Sequence, residues 1–141
     1  MQDSEKHFIV HADGGSRNNP GPAGFGYVIT NAAGRLIEER GEYIGEATSN
    51  VAEYRGLIAA ARRAAELGAG SAEFRVDSEL LERQVAGQYR VKAAHLRPLF
   101  CEVMAELRRF RSWTVRHVPR EQNAEADRLV NLAIDTRGTA P

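Results

Sequence analysis

The sequence predicts an α/β domain built on a mixed sheet. Three stretches of strand character near the N-terminus are joined by turn-forming residues, which makes them antiparallel neighbours. Further strands then alternate with helical periods. Between the third and fourth strands lies a helix long enough for a right-handed crossover, which returns the fourth strand parallel to the first.

Residues 7–12 (HFIVHA) alternate weakly and carry β-branched side chains, a strand that ends at Asp13. The GGSRNNPGPAG that follows is a turn by composition, because Pro and Gly exclude helix. Its glycines do not fit the dinucleotide-binding fingerprint, and a strand rather than a helix comes next. Strands two and three cover 25–30 and 35–44, with a hairpin turn at 31–34. A helix over about 50–67 is closed by Gly68, and a fourth strand at 72–76 ends in Asp77. Helical periodicity resumes over SELLERQVA and breaks at Gly87. A further helix spans 95–110, with Pro98 tolerated in its first turn. The fifth strand is 113–118, closed by Pro119, and the last helix begins at Glu121. Residues 1–5 and 136–141 read as frayed tails of a single domain spanning 1–141.

Hydrophobic content of 43% and charged content of 27% are those of a soluble globular protein. Nineteen basic and nineteen acidic residues cancel, so a nucleic acid would have to be met by a local patch. The single cysteine, Cys101, permits no internal disulfide and reads as core on a helical face. It points to a reducing compartment. No apolar run approaches a membrane span and no signal peptide is evident, so the expected location is cytoplasmic. A monomer suffices, since one domain would carry the whole site.

One residue conflicts with its surroundings. On a wheel of about 100° per residue, Leu57, Ala60, Ala61, Ala64 and Leu67 form an apolar stripe with Gly56 as a close-packing gap, and Glu53 falls at its centre. A carboxylate there is costly unless something compensates it. It is either an N-terminal cap acid or the ligand of a cation on the sheet side. Were strands one and four neighbours, Asp13 and Asp77 would lie side by side at the C-terminal sheet edge, where open α/β sheets place ligands. Glu53 would then make a third carboxylate. Asp127, at the margin of the terminal helix's buried stripe near Asn123, is the fourth candidate or an ordinary half-exposed acid. Clustered carboxylates remain ionised together only if a divalent cation neutralises them. Oxygen-only ligation favours Mg²⁺ or Mn²⁺ over zinc. Two such ions with substrate suit in-line attack of water at phosphorus.

The segments DGGSRNNPGPAG, TSNVAEY, DSELLERQ and NAEADRL, in this order and in register with the predicted elements, resemble type 1 ribonuclease H. The resemblance implies a ribonuclease H-like fold, with a five-stranded mixed sheet and helices on both faces. It also implies hydrolysis of the RNA strand of RNA–DNA hybrids with Mg²⁺ or Mn²⁺, leaving 3′-hydroxyl and 5′-phosphate ends. By position the catalytic acids and metal ligands are Asp13, Glu53, Asp77 and Asp127. Gly14, Ser16, Asn19, Asn50 and Asn123 match positions that line the substrate groove, where contact with 2′-hydroxyls distinguishes RNA from DNA. Alternatively, Ser16 and Asn19 build the turn and Asn50 caps the helix. His117 and Arg120 are rivals for assisting proton transfer or product departure; a His117 still within its strand would be structural. The basic helix and loop that many bacterial members insert has no room in AGQYRVKAAHLRP, which resembles the archaeal-like subgroup lacking that protrusion. Some of that subgroup also cut double-stranded RNA. The alternatives are a hybrid-binding module without turnover, which should lack a site acid, and a related nuclease acting on DNA.

Overall fold

In the computed structural model residues 6–140 are described; the expected frayed segment 1–5 and Pro141 lie outside them. The chain runs β1 (His7–Ser16), β2 (Gly21–Asn31), β3 (Leu36–Ala47), α1 (Ser49–Glu66), β4 (Ser71–Val76), α2 (Glu79–Val85), α3 (Arg97–Leu107), β5 (Ser112–His117), α4 (Ala124–Thr136) and β6 (Thr139–Ala140). Short 3₁₀ turns precede α3 at Ala94–Leu96 and α4 at Arg120–Asn123.

The sheet has six strands rather than the expected five, in the order β5-β4-β1-β2-β3-β6. The hairpins pair β1, β2 and β3 antiparallel, while β4 returns parallel to β1 and β5 parallel to β4. The sixth strand corrects the reading of 136–141 as a frayed tail. Thr139 and Ala140 pair with Glu42 and Gly41, and Ala140 packs with Val28 and Leu129. Two residues are too short for any alternating pattern, so only the tertiary contact makes them a strand.

The first two strands are also longer than composition suggested. β1 continues through Gly14, Gly15 and Ser16, and β2 starts at Gly21, leaving 17–20 as the turn. Glycines that read as turn residues serve instead as close-approach points for helices. A Cβ on Gly14 would lie 2.3 Å from the backbone of Ala52, and one on Gly56 would lie 2.7 Å from the carbonyl oxygen of Asp13. Strand and helix backbones therefore meet almost directly, which sets Glu53 beside the end of β1. On the opposite face, α4 sits on Gly26 and Gly41, whose added Cβ atoms would meet Ala126 O at 2.7 Å and Leu129 O at 2.4 Å.

The main core lies between the sheet and α1, α2 and α3, built from Val10, Phe25, Ile29, Leu57, Phe74, Val103 and Leu107 among others. Burying such side chains contributes roughly 1.5–3 kcal/mol each. Cys101 is not part of it. The buried stripe of α3 is set by Val103 and Leu107, and Cys101 is exposed on the other side of the helix.

Candidate active site

Four elements deliver the acids. β1 carries Asp13 and β4 is followed by Asp77. The parallel register places His11 opposite Arg75, so two residues further on Asp13 comes level with Asp77. Both are nearly dry: Asp13 is 8% exposed and the Asp77 side chain 7%. Burial raises the Asp13 carboxyl well above the usual range; the charge of Asp77, a hydrogen bond between the two, and the charge of Asp127 raise it further. The Gly14 N–H, which donates to Asp13 Oδ1 at 2.9 Å, opposes that rise.

Glu53 points inward from the first turns of α1 and is half-buried, as its place on the apolar stripe implied. Burial pushes it up to about 7; a hydrogen bond from Ser78 holds it back, the Asp77 charge adds to the rise, and Arg120 opposes it. It is not the helix cap. Thr48 has that role, its hydroxyl accepting from Val51 N–H at 3.2 Å. Asp127 lies in the first turn of α4, half-buried and close enough for its charge to be felt at Asp13. The four acids thus form one electrostatic group: Asp13 with Asp77 and Asp127, and Glu53 with Asp77.

Among the described residues no three His, Cys, Asp or Glu side chains form a ready-made metal cage. The donor set nevertheless fits a hard divalent cation. It is all oxygen, and a cation would neutralise the mutual repulsion of its innermost pair, Asp13 and Asp77. Mg²⁺ retains waters and is commonly completed by substrate oxygens, so a cage closed by protein alone is not required. Asp13, Glu53, Asp77 and Asp127 are the residues that could hold it.

The other candidates separate into four kinds. Gly14 is a contact point for α1, with an N–H that supports Asp13. Ser16 and Asn19 both serve the fold around the turn: Ser16 Oγ donates to Ala47 O at 2.6 Å, and Asn19 Oδ1 accepts from Ser49 N–H at 2.9 Å. Asn19 remains exposed. Asn50 is freed from capping by Thr48 and stands exposed at the rim of a groove of about 540 Å³, lined also by Gln84, Tyr89, Arg90 and Lys92. Asn123 is 1% exposed, and its amide donates to Ala12 O at 2.9 Å, which fastens the turn before α4 to β1.

His117 is the last residue of β5 and exposed, still within the strand. Arg120 pairs loosely with one of the acids: its Nε lies 3.6 Å from Asp77 Oδ2 although its side chain is 83% exposed. Gln84 and Tyr89 were not anticipated. Gln84 is buried and accepts from Tyr54 Oη at 2.6 Å, which ties α2 to the residue following Glu53. Tyr89 is 50% exposed, with Arg83 stacked 5.4 Å from its ring centre. An exposed aromatic beside Arg90 and Lys92 was the available signal.

Residues 11–133 match the family model described as reverse transcriptase-like. Ribonuclease HI of Halobacterium salinarum is 44% identical over 128 residues, 89% of this chain and 64% of that protein. A bifunctional protein of Mycobacterium tuberculosis is 45% identical over 128 residues; this chain spans about a third of its length, 35%, and 90% of this chain is matched. Among solved structures, the N-terminal RNase H domain of that organism's protein superposes with a TM-score of 0.91 at 44% identity, covering 94% of this chain and 96% of that one. LC11-RNase H1, solved in complex with an RNA/DNA hybrid, gives 0.88 at 44% identity, covering 92% and 98%. With its acids, strand order and helix positions described, the chain belongs to the type 1 ribonuclease H family.

Proposed function

We propose that the chain is an endoribonuclease that hydrolyses the RNA strand of RNA–DNA hybrids, water attacking phosphorus in line to leave 3′-hydroxyl and 5′-phosphate ends. The observation that carries it is the pairing of two nearly dry carboxylates, Asp13 and Asp77, level with each other just past the parallel pairing of β1 and β4, with Glu53 and Asp127 within electrostatic reach. The relative solved with a hybrid supports the substrate class.

Asp13, Asp77, Glu53 and Asp127 would hold Mg²⁺ or Mn²⁺. When bound, two such ions supply charge neutralisation, an activated water and stabilisation of the departing oxygen. The chain's own residues do the rest. Asp13 and Asp77 present their carboxylate oxygens side by side, just past the stretch where β1 and β4 pair. Glu53, with its carboxyl near 7, is only partly ionised at neutral pH, so a bound cation would favour loss of its remaining proton. Arg120 offsets charge at Asp77 from its exposed position and is free to swing toward the scissile phosphate or the leaving 3′-oxygen. Asn50 and Asn19 reach for sugar hydroxyls. The groove at Tyr89, Arg90 and Lys92 offers stacking and positive charge where the basic insertion of other members is missing. No helix of the described residues is long and apolar enough to cross a membrane. We place the enzyme in the cytoplasm, acting as a monomer.

The test is cleavage of hybrid, duplex RNA and duplex DNA side by side, with Mg²⁺, with Mn²⁺ and with chelator. Asp13→Asn and Asp77→Asn should each abolish hybrid cleavage. Near-normal turnover by either variant, or undiminished cleavage in chelator, would refute the proposal. Cleavage of duplex RNA would extend the substrate range.

A further inference from the structure

Asp127 is the acid whose placement the helix alone explains least, and a chain of polar contacts leads to it from the turn between β1 and β2. Arg17 in that turn donates from Nη2 to Asn131 Oδ1 at 3.1 Å and from Nη1 to the Asp135 carboxylate. A guanidinium only donates, so Asn131 must offer its oxygen to Arg17, and its amide nitrogen then faces the other way. That nitrogen donates to Asp127 O at 3.0 Å and to Asp127 Oδ2 at 3.3 Å. The two residues lie one helical turn apart on the same face of α4, the spacing at which side chains meet. The segment that supplies Arg17 also supplies Ser16, bonded to the end of β3, and Asn19, bonded to the start of α1. One short turn therefore touches the elements that carry Glu53 and Asp127.

We propose that Asn131, oriented by Arg17, is a positioning residue that holds the Asp127 carboxylate toward the other three acids and so couples the β1–β2 turn to the site. This rests on the reading of Asp127 as a member of the hydrolytic site. Without Asn131 the carboxylate is free to adopt other rotamers directed at water, and less of the population is ready to engage a cation.

The experiment compares Asn131→Ala, Arg17→Ala, the double variant and Arg17→Lys. Hybrid cleavage is measured as kcat and KM, and Mg²⁺ and Mn²⁺ binding by calorimetry on protein without nucleic acid. Loss of one hydrogen bond to a charged group predicts a fall in kcat of about tenfold for Asn131→Ala. KM should stay within about twofold and cation affinity should fall by roughly the same factor as kcat. Contacts in series are not additive, so the double variant should be no worse than Asn131→Ala alone. Arg17→Lys keeps a donor and should recover most of the loss. Melting temperatures should change little, since these are exposed surface groups. A rise in KM with kcat intact would overturn the proposal, because Arg17 would then be touching substrate itself. Additive losses, or cation affinities equal to wild type, would also overturn it. If the wild-type protein cut no hybrid at all, the functional reading would fall on its own, and cation affinity would still decide the role of Asn131.

Discussion

Replacing Glu53 with Gln should make the metal-free protein more stable, and the gain should depend on pH. The carboxyl rises from its ordinary 4.5 to about 7 in the folded chain, chiefly because it is buried, so folding favours the protonated form. The folded state binds more protons than the unfolded state between those two values, and stability falls as pH rises through that window. Above it the group is ionised in both states and the full cost, about 3 kcal/mol at 1.36 kcal/mol per pH unit, is present. Half-burial leaves part of that charge to solvent, which reduces the figure to about 1.5–2 kcal/mol. For a domain of this size that is roughly 5–7 °C in Tm. Glu53→Gln should therefore melt higher than wild type by about that amount at pH 8 in EDTA. At pH 4, below the ordinary value, the two should nearly coincide, and the variant should not cleave hybrid. Calorimetric scans at the two pH values decide the matter. An equal gain at both, or a variant less stable at pH 8, would show that Glu53 is not a strained acid and would refute the reasoning. Saturating Mg²⁺ should close the gap at pH 8 and reverse it, since a ligand at a hundred times its Kd adds about 2.7 kcal/mol to the wild type alone.

Gly56→Ala puts a methyl group 2.7 Å from the Asp13 carbonyl oxygen; α1 must shift, at a cost of about 1–3 kcal/mol in urea denaturation, and hybrid cleavage should fall with it. Deleting residues 138–141 removes β6 and uncovers Val28 and Leu129, which should lower stability by about 1–2 kcal/mol while KM for hybrid stays unchanged. Arg120→Ala should reduce kcat by about tenfold or more through loss of charge at Asp77, whereas His117→Ala should change it by less than about twofold if the strand position makes that residue structural; single-turnover kinetics separate the two.

The parts of this site that could be read from the sequence are those where local chemistry contradicts local pattern. Glu53 on an apolar stripe is such a contradiction, and Asp13 and Asp77 sit level just beyond the parallel pairing that follows from a right-handed crossover, although β1 itself runs on to Ser16. Gly56 was legible as a packing gap for the same reason. What could not be read depends on partners far away in the chain. Nothing local distinguishes Thr139 and Ala140 from a loose end until Gly41 and Glu42 are beside them. The glycines of 14–24 looked like turn formers because composition does not reveal which backbone must be approached by a helix. Asn123 had an apt position for substrate contact, but its burial follows from the carbonyl of Ala12, 111 residues earlier. Cys101 shows that on α3 the apolar face is narrower than its run of hydrophobic residues suggests. The contacts from Arg17 to Asn131 span 114 positions, beyond any periodicity.

The bare backbone of Gly26 and Gly41 beneath α4 bears on how heat or pressure would act here. A helix cushioned by side chains can creep by small rotamer adjustments, whereas one seated on main-chain atoms has no such give and either stays seated or lifts away. Asp127 should consequently keep its alignment until α4 detaches as a unit, and amide exchange in its first turn should then share a single opening energy with Leu129 and Val130.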